Sequence, residues 1–314
     1  MKKILLIGIV LLNLVACLRQ NTAEVELVID SKSTLGEGAI WNYKTGELMW
    51  INIKGKILNF YNPLTGSNRE MLTGQMIGTV VPTETGYVLV ALQNGIYAFD
   101  TKTGSKKLLV DPEADLPDNR FNDGKCDPAG RFWAGTLSTT GEKGVAALYR
   151  LDRDTTIHKM IENVSISNGI VWSRDKTKMY YIDTPTQKVV AYDYNNETGE
   201  IGNPKTAVEV PEEMGSPDGM TIDDDGNIWV ALWGGSAVAC WNPETGVLIR
   251  TIDVPAKNVT SCAFGDDDLG TLYITTARES TSEEELAKFP SAGGVFKTRL
   301  GVKGVEAFFF NDTN

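Results

Sequence analysis

Histidine is almost missing from this sequence of 314 residues, which contains a single one, His158. A Ser-His-Asp triad therefore has no support, and no G-x-S-x-G elbow, P-loop or strand-linked G-x-G-x-x-G motif occurs. These absences argue against serine-hydrolase and nucleotide chemistry. We interpret His158 as a surface or strand-filling residue on an outer strand.

Cysteine is also scarce, with four residues and no C-x-x-C pair. Cys17 stands apart near the N-terminus, and the other three, Cys126, Cys240 and Cys262, lie in apolar, strand-like runs. Neither the ligand spacing of a zinc site nor a partner histidine is present. We therefore interpret these three as buried thiols that act as small hydrophobic side chains.

Positive charge is in deficit, because the formal net charge is -11 and no basic run follows Lys3. This distribution argues against a nucleic-acid partner. Two acidic triplets, at residues 223–225 and 266–268, lack the spacing of an EF-hand calcium loop. Since each stands between two strand-like runs, we interpret both as solvated turn tips.

The N-terminal segment has the character of a targeting sequence. Residues 4–15 are apolar apart from Asn13, and this run is too short to span a bilayer as a stable helix. It ends in Leu14-Val15-Ala16-Cys17, which resembles the lipobox of bacterial lipoproteins, in which the cysteine is acylated. An ordinary secretory signal with an incidental cysteine is the alternative.

The lipobox reading sets the expected organisation of the chain. It predicts a lipoprotein signal peptide over residues 1–16, a lipidated N-terminus and tether over 17–23, and one folded domain over 24–314. The protein is then expected in the cell envelope outside the cytoplasm, periplasmic or at the surface. A lipid on Cys17 would be its only contact with a membrane.

Helical patterns are almost absent, and the body of the chain instead repeats a strand-like run that follows a turn. The six runs cover residues 46–50, 86–90, 130–134, 178–182, 226–230 and 270–274. Their spacing is the period expected of four-stranded propeller blades, roughly 40 to 48 residues. The sequence therefore predicts an all-β fold, a six-bladed β-propeller with four-stranded blades.

A propeller must close its ring, and two strand candidates remain at the ends of the chain. They are residues 24–29 (EVELVI) and 305–310 (VEAFFF). We expect both to pair in the last blade, because a lone exposed edge would invite aggregation. Ser282, followed by Glu283-Glu284-Glu285, predicts one short capped helix as an insertion in that blade.

The innermost strands of a propeller line its central channel, so the residues just before them should converge at one mouth. Equivalent positions recur in phase at Glu37, Gly78, Asn122, Asn168, Asp218 and Ser261. Glu37, Asn168 and Asp218 offer two carboxylates and an amide oxygen, hard donors that suit a divalent cation. One Asx-Gly pair alone could serve only to shape a turn. Three positions in phase favour a cation, with calcium preferred over magnesium, manganese or zinc.

Several stretches are similar to a known family. They are LGEG (35–38), RFNDGKCDPAGRFWAGT (120–136), ISNGIVWS (166–173), PDGM (217–220), TSCAFG (260–265), LYITTARE (272–279) and AGGVFK (292–297). Through them, essentially the whole chain after the N-terminal segment resembles the SMP-30/gluconolactonase/regucalcin family. Members of that family are six-bladed propellers that hydrolyse sugar lactones with one divalent metal ion.

The resemblance implies roles for five residues. Glu37, Asn168 and Asp218 match the metal ligands, and Asp218 also matches the acid that activates water. Arg120 and Asn122 match positions that contact the substrate or its bound water. These matches imply that residues 24–314 form a catalytic domain with a small-molecule sugar lactone as its partner, and we expect a monomer.

The sequence departs from the family pattern in two places. Ala39 follows Glu37-Gly38, where many relatives have proline. Residues 137–140, Leu-Ser-Thr-Thr, stand where some relatives carry an acidic pair that grips the sugar hydroxyls. The preferred lactone of those relatives therefore cannot be carried over to this chain.

The chemistry of lactone opening fits these residues without a histidine. A metal ion can polarise the carbonyl group and a carboxylate can take a proton from water. Two other classes stay open at this point. One is a metal-dependent phosphotriesterase or esterase on the same architecture. The other is a non-enzymatic propeller lipoprotein that binds a sugar or a protein, since the fold alone does not imply catalysis.

Overall fold

Six four-stranded antiparallel sheets make up most of the computed structural model, which describes residues 24–313. Five sheets use four consecutive strands each, and the sixth joins the last three strands of the chain to the first. This confirms the predicted six-bladed β-propeller. The predicted signal peptide, the lipidated Cys17 and the tether up to residue 23 lie outside the described residues.

The strands are numbered in chain order, and the blades are numbered one to six in the order of their innermost strands. The strands are grouped here by their place in a blade. The innermost strands are β2 (Gly36–Asn42), β6 (Ile77–Pro82), β10 (Asn119–Cys126), β14 (Ser167–Trp172), β18 (Ser216–Ile222) and β22 (Asn258–Gly265). The second strands are β3 (Glu47–Asn52), β7 (Val88–Leu92), β11 (Phe132–Ser138), β15 (Lys178–Asp183), β19 (Ile228–Trp233) and β23 (Thr271–Ala277).

The third strands are β4 (Ile57–Asn62), β8 (Gly95–Phe99), β12 (Ala146–Leu151), β16 (Lys188–Tyr194), β20 (Ala237–Asn242) and β24 (Val295–Arg299). The outermost strands are β5 (Ser67–Leu72), β9 (Lys106–Val110), β13 (Ile157–Val164), β17 (Ile201–Glu209), β21 (Val247–Asp253) and β1 (Glu26–Ile29). The second strands match the six repeated runs of the sequence closely.

The core of the protein lies between the blades. Strand β19, with the sequence IWVALW, is buried over five of its six residues, because both faces of its sheet pack against neighbouring blades. The outermost strand of the same blade, β21, is exposed at every residue except Ile252. Large aromatic side chains such as Trp133 and Trp229 fill the space between sheets and are fully buried.

The N-terminal strand closes the ring. In the last blade Glu26 lies opposite Lys297 and Leu27 lies opposite Phe296, so β1 supplies the outermost strand of a sheet whose other strands come from the C-terminal end. The expectation for residues 24–29 is therefore confirmed over Glu26–Ile29. Pairing the two ends of the chain in one blade leaves no open gap in the ring.

The expected pairing of residues 305–310 in the last blade is wrong. This segment crosses the face of the ring where the hairpins between first and second strands lie, and touches it through isolated bridges. Gly304 pairs with Asp223 in the fifth blade and Phe310 pairs with Thr83 in the second. Phe309 and Phe310 are buried there. A segment that covers a channel mouth and a strand at the edge of a sheet both need an apolar run. The sequence pattern therefore could not distinguish these two structures.

The one α-helix of the described residues is α1 (Glu283–Lys288), inserted between β23 and β24. Ser282 accepts a hydrogen bond from the Glu285 N–H, and the Glu285 side chain accepts one from the Ser282 N–H, which confirms the predicted cap. Two short 3-10 turns cover Thr184–Thr186 and Glu212–Met214. Within residues 24–313, no helix combines the length and the apolar character that a membrane crossing requires.

The predictions for cysteine and histidine are confirmed. Cys126, Cys240 and Cys262 are buried free thiols. His158 lies on the outermost strand β13, where its side chain is 43% exposed and its Nε2 lies 3.1 Å from a carboxylate oxygen of Asp152.

The prediction of a solvated turn tip is wrong for the first residue of the acidic triplet at 223–225. Asp223 is buried and accepts hydrogen bonds from Trp229 Nε1 at 2.9 Å and the Asn227 N–H at 2.8 Å. Asp127 binds the Trp133 indole in the same way, at 3.0 Å. An aspartate in the inner hairpin thus anchors a core tryptophan in two blades.

Candidate active site

A β-bulge interrupts every innermost strand at the same level of the channel. Pairing with the second strand shifts after Glu37, Ile77, Phe121, Ser167, Pro217 and Val259. A bulge re-aims the side chains it carries. Glu37 begins its bulge, and Asn122, Asn168 and Asp218 lie within theirs. The prediction that these residues come just before the innermost strands is therefore wrong, because they belong to the strands themselves.

Glycines beside the bulges allow the innermost strands to approach one another. A Cβ atom on Gly169 would lie 2.8 Å from the Asp218 carbonyl oxygen. A Cβ atom on Gly219 would lie 2.9 Å from the Thr260 carbonyl oxygen. Any side chain here would push two blades apart, so the Asn-Gly and Asp-Gly pairs set the spacing of the site as well as supplying its polar atoms.

A cavity of about 430 Å³ opens at this mouth of the channel. It brings together all five residues that the sequence predicted for the site, Glu37, Arg120, Asn122, Asn168 and Asp218. Each of the five is less than 9% exposed. Residues from four different blades therefore converge at one point, as the phase of the repeat predicted.

Glu37 and Asp218 form a buried carboxyl pair. Burial raises the pKa of Glu37 well above its usual range, and the neighbouring charges of Asp218 and Asp123 raise it further. Burial also raises the pKa of Asp218, followed by the charge of Asp123, against hydrogen bonds to Glu37, Asn168 and Gly219 that lower it. Two carboxylates this close cannot both ionise readily unless a proton or a cation compensates them.

Asp123 is a third buried carboxylate that the sequence reasoning missed. It is 4% exposed, its Oδ1 accepts the Gly124 N–H at 2.7 Å, and its Oδ2 receives no hydrogen bond within the described residues. Glu37 is also followed by a glycine whose N–H it accepts, at 2.8 Å. This shared pattern of carboxylate and glycine could have identified Asp123.

Asn168 presents an oxygen atom without a partner. Its Nδ2 donates to Thr184 Oγ1 at 2.9 Å, and that hydroxyl donates its own hydrogen to the Pro217 carbonyl at 2.9 Å. Because the hydroxyl proton is already used, the Asn168 group that faces Thr184 must be the NH₂. The other end of the amide, Oδ1, is buried and no described residue donates to it.

Arg120 and Asn122 are tied together beside the carboxyl pair. Arg120 Nη1 donates to Asn122 Oδ1 and to the Phe121 carbonyl, both at 2.9 Å, and Asn122 Nδ2 donates to the Ser167 carbonyl at 2.7 Å. Burial lowers the pKa of Arg120, while the charges of Glu279, Glu37 and Asp218 raise it. This link holds the guanidinium at the cavity wall with Nη2 and Nε free of partners in the described structure.

The carboxylates of Glu37 and Asp218 and the amide oxygen of Asn168 are all acceptors, so they suit a hard divalent cation better than they suit hydrogen bonds with one another. In residues 24–313 no cluster of three His, Cys, Asp or Glu side chains is placed to hold a metal ion. The candidate set is instead two carboxylates and one amide oxygen, all of them oxygen donors. A cation would neutralise the Glu37–Asp218 pair and satisfy the unpartnered oxygen of Asn168 at once.

The opposite mouth of the channel has a different character. A cavity of about 60 Å³ lies there under the crossing C-terminal segment, whose Ala307 and Phe308 line it with Trp41 and Trp172. Lys125 reaches into the channel there and donates to the Met220 carbonyl at 2.8 Å. The C-terminal segment thus crosses this mouth of the channel, and the carboxyl pair lies at the other one.

The sequence is similar to known proteins over most of its length. The model of a family described as SMP-30/Gluconolactonase/LRE-like region matches residues 35–278. YvrE of Bacillus subtilis, provisionally named as a sugar lactone lactonase, is 41% identical over 280 residues, 89% of this chain and 96% of that protein. Regucalcin of Danio rerio is 39% identical over 293 residues, 92% of this chain and 99% of that protein.

Solved structures are similar as well. A regucalcin from Agrobacterium tumefaciens, described as a calcium-binding protein, is 28% identical and has a TM-score of 0.88, with 92% of this chain and 98% of that chain covered.

Proposed function

The chain belongs to the SMP-30/gluconolactonase/LRE-like family, and from that premise we propose that it is a lactonase that hydrolyses sugar lactones with one divalent cation. The observation that carries the proposal is the cavity in which Glu37 and Asp218 lie side by side with the unpartnered oxygen of Asn168. The names of the similar proteins, a sugar lactone lactonase and regucalcin, support the substrate class.

Glu37, Asn168 and Asp218 would hold the cation. The similar structure described as a calcium-binding protein favours calcium, with magnesium, manganese and zinc as alternatives. When bound, the cation would act as a Lewis acid toward the lactone carbonyl oxygen, where negative charge develops in the transition state.

Asp218 is the proposed general base. It lines the cavity beside Glu37 and close to Asn168, so its carboxylate can face a water molecule held there. A carboxylate oxygen of Asp218 would take the proton of the attacking water as the oxygen of that water bonds to the carbonyl carbon. Asp123 is not among the residues that line the cavity.

Arg120 is the proposed substrate clamp. Its Nη1 is committed to Phe121 and Asn122, so the guanidinium plane is fixed while other donors remain for the ligand. Asn122 lies in the same wall and, through its bonds to Arg120 and to Ser167, would orient the clamp as well as contact the substrate.

Replacing Arg120 tests the clamp. We expect Arg120→Ala to lower kcat/KM for a sugar lactone by at least about tenfold, which corresponds to roughly 1.4 kcal/mol, with the fold retained. Arg153→Ala is the control, since Arg153 lies near the opposite mouth and donates to the Ala129 carbonyl. Steady-state kinetics and thermal melts of both variants check this, and unchanged kinetics in Arg120→Ala would leave Arg120 a structural role only.

A substrate panel tests the proposed function itself. Wild-type protein supplied with calcium, magnesium, manganese or zinc should open aldonolactones such as gluconolactone faster than it cleaves a phosphotriester or a simple aryl ester. Proton release measured in weak buffer follows all three reactions. A faster phosphotriester reaction would place the chain with the related propeller esterases, and no hydrolysis of any of them would indicate a binding protein.

We further propose that the protein is anchored in the cell envelope by a lipid on Cys17. Support comes from the Leu14-Val15-Ala16-Cys17 stretch behind a short apolar run. Cys17→Ser should move the protein from the membrane fraction to the soluble fraction, and the mass of the wild-type N-terminal peptide should include acyl chains. An unmodified N-terminus at another residue would contradict the anchor.

A further inference from the structure

Glu279 lies at the wall of the catalytic cavity in a loop that is held from two sides. It follows β23 at the edge of the sixth blade and lines the cavity together with Arg120 and Asp218. Its N–H donates to the Thr34 carbonyl at 2.8 Å, and its carbonyl oxygen accepts a hydrogen bond from Asn258 Nδ2 at 2.7 Å. These two main-chain hydrogen bonds therefore fix the position of the Glu279 backbone, from which the side chain extends.

The two carboxylate oxygens of Glu279 have different surroundings. Oε1 lies 2.6 Å from Lys54 Nζ, on the turn between β3 and β4 of the first blade. Oε2 is shielded from solvent and receives no hydrogen bond from the described residues. An acceptor buried without a donor is unfavourable, so this oxygen is poised to accept a hydrogen bond that the protein does not supply.

Arg120 and Glu279 share the cavity but do not neutralise each other. Among the nearby charges, that of Glu279 does most to offset the effect of burial on the pKa of Arg120. Even so, the two side chains form no salt bridge within 4.0 Å in the described structure, where Glu279 pairs with Lys54. A hydroxyl group both donates and accepts, so vicinal hydroxyls of a ligand could join the carboxylate to the guanidinium.

Much of the remaining wall is apolar, and its other polar side chains are those of Asn122, Asn168, Thr184, Ser216 and the Trp233 indole. Leu137 and Ile166 line the cavity on the side of the third and fourth blades, and Ile53 and Trp233 line other parts of its wall. Away from the carboxyl pair, Glu279 supplies the carboxylate of this cavity. A hydrogen bond that a site is built to accept discriminates strongly against a substrate that lacks the donor.

We propose that Glu279, held by Lys54, accepts a hydrogen bond from a ring hydroxyl of the substrate and thereby selects polyhydroxylated lactones over unsubstituted ones. This role rests on the proposed lactonase function and gives it a specificity-determining residue. Lys54, which does not itself line the cavity, fixes one oxygen of Glu279 and leaves the other without a donor from the described residues.

Two lactones with the same ring size separate this role from a general effect on catalysis. Gluconolactone carries ring hydroxyls and δ-valerolactone carries none. Glu279→Gln should lower kcat/KM for gluconolactone by at least about tenfold, mainly through KM, and should change kcat/KM for δ-valerolactone by no more than about twofold. Lys54→Met should act in the same direction on gluconolactone by a smaller factor.

Two further measurements control for folding and for the chemical step. Glu306→Gln is the matched variant at the opposite mouth of the channel and should match wild type on both lactones. Binding of 1,5-anhydroglucitol, a ring polyol without a carbonyl, is measured by calorimetry with calcium present. Wild type should bind it, and Glu279→Gln should bind it at least about tenfold more weakly.

The outcomes distinguish this role from the proposed function. Equal losses on both lactones, or no loss on either, with unchanged polyol binding would remove the specificity role of Glu279 and leave the lactonase standing. If wild type opens neither lactone, the proposed function fails. In that case the binding of 1,5-anhydroglucitol still tests the role of Glu279 in holding ring hydroxyls. Equal affinities of wild type and Glu279→Gln for this polyol would overturn that role.

Discussion

Asp218→Asn should remain slower than wild type by about 10² or more when it is saturated with a divalent cation, the usual scale of general base catalysis. The substitution keeps the shape of the side chain and one oxygen donor, but it removes the charge and the basic oxygen. Initial rates of gluconolactone opening across a titration of each cation measure the effect. If Asp218 served as a ligand only, excess cation would restore most of the activity.

Glu37→Gln is the matched control for this experiment. It weakens the same cation site and leaves the carboxylate of the proposed base in place, and its neighbour Gly38 can still donate to the side-chain oxygen. Excess cation should therefore rescue Glu37→Gln much better than Asp218→Asn. Equal rescue of the two variants would remove the general-base role, and full activity of metal-free Asp218→Asn would contradict the whole site assignment.

Gly169→Ala should damage both the stability and the activity of the protein. The new Cβ would lie 2.8 Å from the Asp218 carbonyl oxygen and from the Met220 nitrogen, both of them main-chain atoms of the next blade. Overpacking of this kind costs typically about 1–3 kcal/mol in the free energy of unfolding. Displacing Asn168 from Asp218 should also lower kcat/KM by up to about 10²-fold, because misplacements near 1 Å are costly.

Gly202→Ala in the same blade separates this clash from a general effect of replacing glycine. Gly202 lies on the outermost strand β17, and a Cβ added there meets no atom within 4 Å. This variant should unfold at the same denaturant concentration as wild type, or at a slightly higher one, and should keep full activity. Denaturant unfolding and kinetics of both variants decide the matter, and a stable, fully active Gly169→Ala would contradict the close approach of the two strands.

The fold was predictable because short local sequence patterns repeat once per blade. Runs such as 226–230 follow a turn glycine and recur once per blade, so the strand count and the ring follow from spacing. The convergence of Glu37, Asn168 and Asp218 was predictable for the same reason, since equal phase in a ring means equal position around its axis. The exact geometry was not, because bulges in the innermost strands are set by contacts between strands.

The features that the sequence did not reveal depend on contacts between distant segments. The unpartnered oxygen of Glu279 results from Lys54 pairing with the other one, across 225 residues of chain. The segment at 305–310 reads as a strand by composition, yet Phe310 takes its place under the second blade through a bridge to Thr83. Asp223 reads as a turn residue, and only the position of the Trp229 indole shows why it is buried.

Metal removal followed by controlled return of metal tests the central claim most directly. Wild-type protein is stripped with a chelator, its residual metal is measured by mass spectrometry, and gluconolactone opening is followed as calcium or another divalent cation is added. We predict that activity is lost with the metal and returns in proportion to a single bound cation per chain, in wild type but not in Asp218→Asn. Full activity in protein that holds far less than one cation per chain would contradict the account.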